Sequence, residues 1–209
     1  MLTTEANTLE SETNKDIDWI YLPVNTQHQD LSVCLHDSAF YSIKSDLLNR
    51  TITLIFDVCY IREFHKLPED TLFKFILTEV TSTRVTTFAV WPGKFEVPKN
   101  ISREEEHRLI KEYQAKWREE TCDWNNFESL INKNNTFDIA DAEIAIGEFN
   151  LTLQLNGRLN NNDYHTAFIR ASKLSIQDNR GKVFSLEDLI VLGKDYWQTF
   201  SNVKQAIIE

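Results

Sequence analysis

Val33-Cys34-Leu35-His36-Asp37-Ser38-Ala39-Phe40 carries a His-Asp pair straight into the strongest strand signal of the chain. After it, Ala39, Tyr41 and Ile43 alternate with Phe40, Ser42 and Lys44; Asp46 to Asn49 break the pattern; Thr51 to Val58 alternates again. Period-two alternation on both sides of a short break predicts a β-hairpin. Matching the apolar faces sets the register. Ile43 is expected opposite Ile52, Tyr41 opposite Leu54, Ala39 opposite Phe56 and Asp37 opposite Val58, since a slip by one residue would set Lys44 and Ser42 against the apolar row. Asp37 is thereby expected at the end of a buried face.

Outward from the hairpin the chain alternates between β and helical grammar. Upstream, Met1 to Asp16 is rich in Thr, Glu, Asn and Ser and reads as a mobile tail. Ile17 to Val24 suits a short edge strand, because Pro23 cannot donate to a ladder. Downstream, Ile61 to Asp70 reads as a connection, and Thr71 to Leu77 and Thr81 to Trp91 as two antiparallel strands with a turn near Glu79 to Thr83, stopped by Trp91-Pro92-Gly93. Ser102 with Glu105 has capping-box spacing, and Leu109, Tyr113 and Trp117 extend that helix to about Glu120. Asp123 caps a shorter helix carrying Trp124, Phe127, Leu130 and Ile131 inward. Phe137 to Ile146, Phe149 to Leu155 and Ala167 to Ile176 return to strand character. Ser185 with Asp188 starts a last helix bearing Tyr196, Trp197 and Phe200, in which Gly193 is an unfavourable residue.

The expected fold is α+β: antiparallel β-sheet with helices packed on one face. Residues 17–209 form a single domain, with 100–136 the place where it could divide. Asp37-Ser38-Ala39 before one hairpin resembles Asp141-Ala142-Glu143 before another, which hints at two related β-meander halves.

The chain has 209 residues, enough to bury roughly 70% of the surface of its unfolded form, so its core requires no disulfide or metal. A net charge of −10 opposes duplex nucleic acid and anionic membranes as partners and suits a basic protein partner. Cys34, Cys59 and Cys122 show no paired spacing and read as reduced thiols of a cytoplasmic protein. The first apolar run, Ile17 to Val24, is too short for a signal or membrane segment.

His36 and Asp37 are the candidate binding residues, with Tyr41 beside them. Adjacent strand residues point to opposite faces, so a direct His-carboxylate relay requires the backbone to bend between them. A structural role weighs against this: Asp37 could satisfy backbone amides and His36 could anchor a loop. Cys34, His36, Cys59 and His65 match no zinc spacing. Gly-rich phosphate loops, nucleophile elbows and paired zinc-protease histidines are absent from the sequence, and no cofactor is implied.

Leu35-His36-Asp37-Ser38, followed by Asn49-Arg50-Thr51-Ile52-Thr53-Leu54, resembles the opening of small bacterial domains in which a Leu-His-Asp-Ala motif precedes a hairpin. Some of these resemble immunity proteins of polymorphic toxin systems. The likeness covers residues 31 to 58, and Ser38 departs from the usual Ala. It implies a protein-binding, immunity-like or accessory module rather than an enzyme. The alternative is a small-ligand-binding protein or hydrolase whose pocket unites His36 or Asp37 with Tyr41 and tryptophan. A third reading makes the motif a device that fixes the hairpin and nothing more.

Overall fold

The structure, a computed structural model, describes residues 27–89, 98, 101–114, 118–134, 137–159 and 164–208. In chain order its elements are β1 (Gln27–Asp30), α1 (Ser32–Leu35), β2 (Ala39–Asp46), β3 (Thr51–Asp57), α2 (Cys59–Phe64), β4 (Phe73–Thr78), β5 (Ser82–Ala89), α3 (Arg103–Gln114), β6 (Arg118–Cys122), α4 (Trp124–Asn134), β7 (Phe137–Ile146), β8 (Leu151–Arg158), β9 (Tyr164–Ala171), β10 (Lys173–Asp178), β11 (Val183–Phe184) and α5 (Leu186–Ile208). The tail over 1–16, the edge strand expected over 17–24 and the Trp91-Pro92-Gly93 stop lie outside the described residues. The fold is α+β: a large antiparallel sheet with helices packed against it.

The expected hairpin is β2–β3, in a different register. Ile43 pairs with Leu54, Ser45 with Ile52 and Phe40 with Phe56, and Tyr41 is the extra residue of a β-bulge. A bulge inverts the alternation once. Phe40 and Ile43 are therefore buried together while Tyr41 is 48% exposed, which corrects the face assigned to Ala39, Tyr41 and Ile43. Asp37 is corrected too: it precedes the strand and is 72% exposed. Leu31, Cys34 and Leu35 are spaced so that a helical turn buries all three, and α1 forms where a strand was expected.

Three further elements differ from expectation because distant pairing overrides local grammar. Residues 118–122 are β6, paired with β5 through Val85 and Cys122, where a helix was expected to continue. Cys59–Phe64 forms α2, taking in the first residues of the connection expected over Ile61 to Asp70. β4 and β5 do not pair with each other; Glu79 at φ 56 redirects the chain, and the Thr81 amide donates to the Arg170 carbonyl, so the two strands run on as one bent line. β9 and β10 form the matching bent line, broken only at Ser172, whose amide donates to the Thr78 carbonyl.

These two lines lie antiparallel along each other, β4 on β10 and β5 on β9. Because β3 adds to β4, β8 to β9, and β2 meets β7 at Ala39–Asp138 and Phe40–Phe137, the ladder returns on itself as a barrel. Closure removes most of the exposed edge.

The ladders on either side of the β2–β7 contact match in register. The bulge at Tyr41 matches one at Ala140. The pair Thr51–Thr78 matches Thr152–Arg170, and Val85–Cys122 matches Ile176–Phe184. After β6, Asp123 caps α4 through the amides of Asn125 and Asn126; after β11, Ser185 and Asp188 cap α5 reciprocally. Each of these ladders ends in a capped helix, and their correspondence sets Tyr41 against Ala140 rather than Asp37 against Asp141, so the Asp37-Ser38-Ala39 likeness is not what they share.

One core fills the barrel. Ile52, Leu54 and Phe56 of β3, Phe73, Phe75 and Leu77 of β4, and Leu153 and Leu155 of β8 are all essentially inaccessible. Phe40 stacks on Phe56 at 4.8 Å, and Phe56 meets Phe75 edge-on at 5.0 Å. Beyond the two β2–β7 pairs the strands part, and α4 fills the opening. Its Asn132 amide accepts from the Ile43 N–H and donates to the Ile43 carbonyl, both at 2.9 Å, and Glu128 accepts from the Ser45 N–H. A side-chain amide thus stands in for a neighbouring strand. Asn132→Leu is expected to cost about 1 kcal/mol in urea unfolding, since the Ile43 peptide groups would lose both partners at a site water still reaches; an unchanged midpoint would show that water replaces the amide fully.

Candidate functional site

The His-Asp pair sits where α1 hands the chain to β2. His36 is the C-cap, with its N–H bonded to the Ser32 carbonyl, and Asp37 follows in the left-handed region at φ 58. The Asp37 N–H donates to the Ile139 carbonyl, the Ser38 carbonyl accepts from the Ile139 N–H, and the Ser38 hydroxyl donates to the Leu35 carbonyl at 2.5 Å. The motif therefore ties the start of β2 to β7.

This bend supplies what an extended backbone would forbid. The His36 Nδ1 donates to the Ala140 carbonyl at 2.8 Å, which turns the Nε2 toward the Asp37 carboxylate, 3.5 Å away. Both side chains remain open to solvent, His36 at 44% and Asp37 at 72%. Tyr41 projects from the bulge of β2; among the described residues no hydrogen bond, ion pair or ring contact joins it to either.

An aromatic seam adjoins the pair. The Trp197 ring lies 6.1 Å from that of His36 and 5.6 Å from that of Tyr60, and Tyr196 packs on Tyr60 at 4.7 Å. Phe64 and Phe200 extend the seam from α2 and α5 and are 39% and 49% exposed. Trp197 is fixed by its indole N–H, which donates to the Val33 carbonyl at 3.0 Å. Burial, foremost, holds the Tyr60 phenol protonated far above its ordinary range. Of this seam, Tyr196, Trp197 and Phe200 are legible as one apolar helix face; the contribution of α2 is not, because Phe64 lies in the stretch from Ile61 to Asp70 whose charges and Pro68 read as a connection and Tyr60 falls between it and the preceding strand.

The candidate ligands for metal do not converge. Cys34 is fully buried in α1, Cys59 is exposed on α2, and His65 engages the Leu192 carbonyl at 3.0 Å. Among the described residues no group of three or more His, Cys, Asp and Glu is placed to hold an ion. Burial, with the Asp30 charge adding to it, pushes the Cys34 thiol up to about 12. At mildly alkaline pH, alkylation of the native protein is expected to label Cys59 and spare Cys34, read by mass spectrometry; labelling of Cys34 at the unfolded rate would contradict its burial. In the unfolded chain the thiol titrates near 9.0, so the stability that neutral Cys34 contributes is complete below that pH and is lost as pH rises toward 12.

Two cavities lie elsewhere. A groove of about 660 Å³ runs between α4 and the end of β2, lined by Ser45, Leu47, Glu128, Ser129 and Asn132 among others. A smaller hollow of about 180 Å³ sits beside Arg50 and Val80. Neither includes His36, Asp37 or Tyr41. Comparison of the chain with family models, with curated proteins and with solved structures gives no match in any of the three.

Proposed function

We propose that the chain is a non-catalytic protein-binding module, immunity-like or accessory, acting in the cytoplasm on a basic protein partner. The observation that carries this reading is the half-exposed aromatic seam of α2 and α5 with His36 and Asp37 on its border. Aromatic side chains held rigid by packing lose little entropy when a partner covers them, and interface energy concentrates on such residues. The −10 charge supplies steering toward a cationic surface. Tyr41, exposed on β2, is included in the proposed surface as its outlying member. Among the described residues no helix is long and apolar enough to cross a membrane.

The test is affinity capture from the source lysate with the wild-type protein and with a His36→Ala, Asp37→Ala variant of unchanged melting temperature, followed by titration of the captured protein once purified. The variant is expected to bind at least about tenfold more weakly, with wild-type affinity falling steeply as salt rises. Tyr41→Ala measures how far the surface extends. Equal, salt-insensitive binding by wild type and double variant would move the interface off this border and leave the pair as a hairpin lock.

A further inference from the structure

We infer that His36 and Asp37 form a receptor for one arginine side chain of the partner, gripped by both residues at once with its plane against Trp197. This rests on the reading of the seam and its border as a binding surface, and it names the group that the border takes. A carbonyl oxygen can only accept, so the His36 Nδ1, 2.8 Å from the Ala140 carbonyl, carries a proton. In the neutral imidazole Nε2 is then an acceptor. It faces the Asp37 carboxylate across 3.5 Å, and two acceptors set side by side without a proton between them call for a donor from outside. Among the described residues none supplies it: no N–H or O–H donates to the Asp37 carboxylate, and no lysine or arginine pairs with it.

The backbone holds the two acceptors in place. The His36 N–H is bonded to the Ser32 carbonyl and the Asp37 N–H to the Ile139 carbonyl, with Asp37 at φ 58, so both residues are positioned before a guest arrives. A planar cation with parallel N–H donors fits between two acceptors, and among side chains the guanidinium has that form; the lysine ammonium is a compact, strongly hydrated point charge. Trp197 provides the third side. Its ring lies 6.1 Å from that of His36 and is pinned through the Val33 carbonyl, which the Tyr60 hydroxyl also approaches at 3.5 Å. A fixed indole face beside a carboxylate favours a stacked guanidinium. The guest is not the chain's own. Outside the described residues the sequence has no arginine, and Arg62, the arginine of the adjoining helix α2, is engaged with Asp57.

The test titrates the full chain with a capped Gly-Arg-Gly peptide and with its lysine counterpart at mildly alkaline pH, followed by NMR at the His36 ring and the Trp197 indole N–H. Saturable shifts at both are expected from the arginine peptide, which should bind at least about fivefold more tightly than the lysine peptide. Asp37→Asn is the informative variant. Asparagine tolerates the left-handed backbone, so the melting temperature should hold, while its neutral amide removes the charge and gives Nε2 a donor within the chain; arginine affinity should fall about tenfold or more. Equal affinity for the two peptides, no saturable shift up to ~10 mM arginine peptide, or unchanged binding by Asp37→Asn overturns the receptor. Capture separates this from failure of the wider reading: a partner lost by the His36→Ala, Asp37→Ala variant although the arginine peptide does not bind leaves the surface in place and overturns the arginine assignment alone.

Discussion

Gly193→Ala is expected to lower unfolding free energy by about 3 kcal/mol, although the same change in an ordinary helix interior would raise it by about 1 kcal/mol. A Cβ at this position would lie 2.2 Å from the Val33 carbonyl oxygen and 3.0 Å from the Cys34 Cα, and both are backbone atoms of α1 that no rotamer change can move. Relief requires α1 to draw back from α5. That movement would lengthen the Trp197–Val33 hydrogen bond and shift the His36 ring from Trp197, so the variant should also lose affinity for any partner bound at the aromatic seam. Urea unfolding decides the matter: a Gly193→Ala protein more stable than wild type would mean that helix propensity governs the site and that α1 yields freely.

Phe137→Ala is expected to cost about 4 kcal/mol, a large part of the 5–15 kcal/mol that holds a typical domain. Phe137 is fully buried at the β2–β7 contact and is the ring on which both halves close. It meets Phe40 at 5.9 Å and Phe127 at 5.6 Å, and lies against Gly157, where an added Cβ would sit 2.4 Å from the ring. The surrounding ring of strands leaves little freedom to collapse into the space vacated, which sets the cost toward the upper part of the range for Phe→Ala. Phe149→Ala is the control: that ring is 78% exposed at the β7–β8 turn, and its loss should leave the denaturation midpoint unchanged. A cost at Phe137 below about 1 kcal/mol would mean that α4 and β2 reclose over the gap.

How far the sequence could be read follows from how local each signal is. The existence of the hairpin, the caps at Asp123 and Ser185, and the inward faces of Trp124, Phe127 and Ile131 depend on residues a few positions apart and form as read, whereas the hairpin register does not and Leu130, expected inward, is exposed. The candidate site was legible only as a pair of residues. The sequence displays His36 and Asp37 side by side, but their approach to each other depends on the left-handed backbone of Asp37 and on the Ala140 carbonyl more than a hundred residues away. The seam that gives the pair its setting joins α2 to α5, and no local pattern connects Tyr60 with Tyr196 and Trp197.

Composition and periodicity by themselves determined an α+β chain with an antiparallel sheet, acidic overall, and the approximate extent of most of its strands and helices, because burial on one face of a strand or helix writes its period into the chain. Tertiary structure alone decided the register shifted by the Tyr41 bulge, the passage of β4 into β5 and of β9 into β10, the closure of the barrel and the matching of its halves. Those features are choices among strand edges whose hydrogen-bonding groups are identical in every residue but proline, and they are settled by which arrangement buries Phe40, Phe56, Phe75 and Phe137 together.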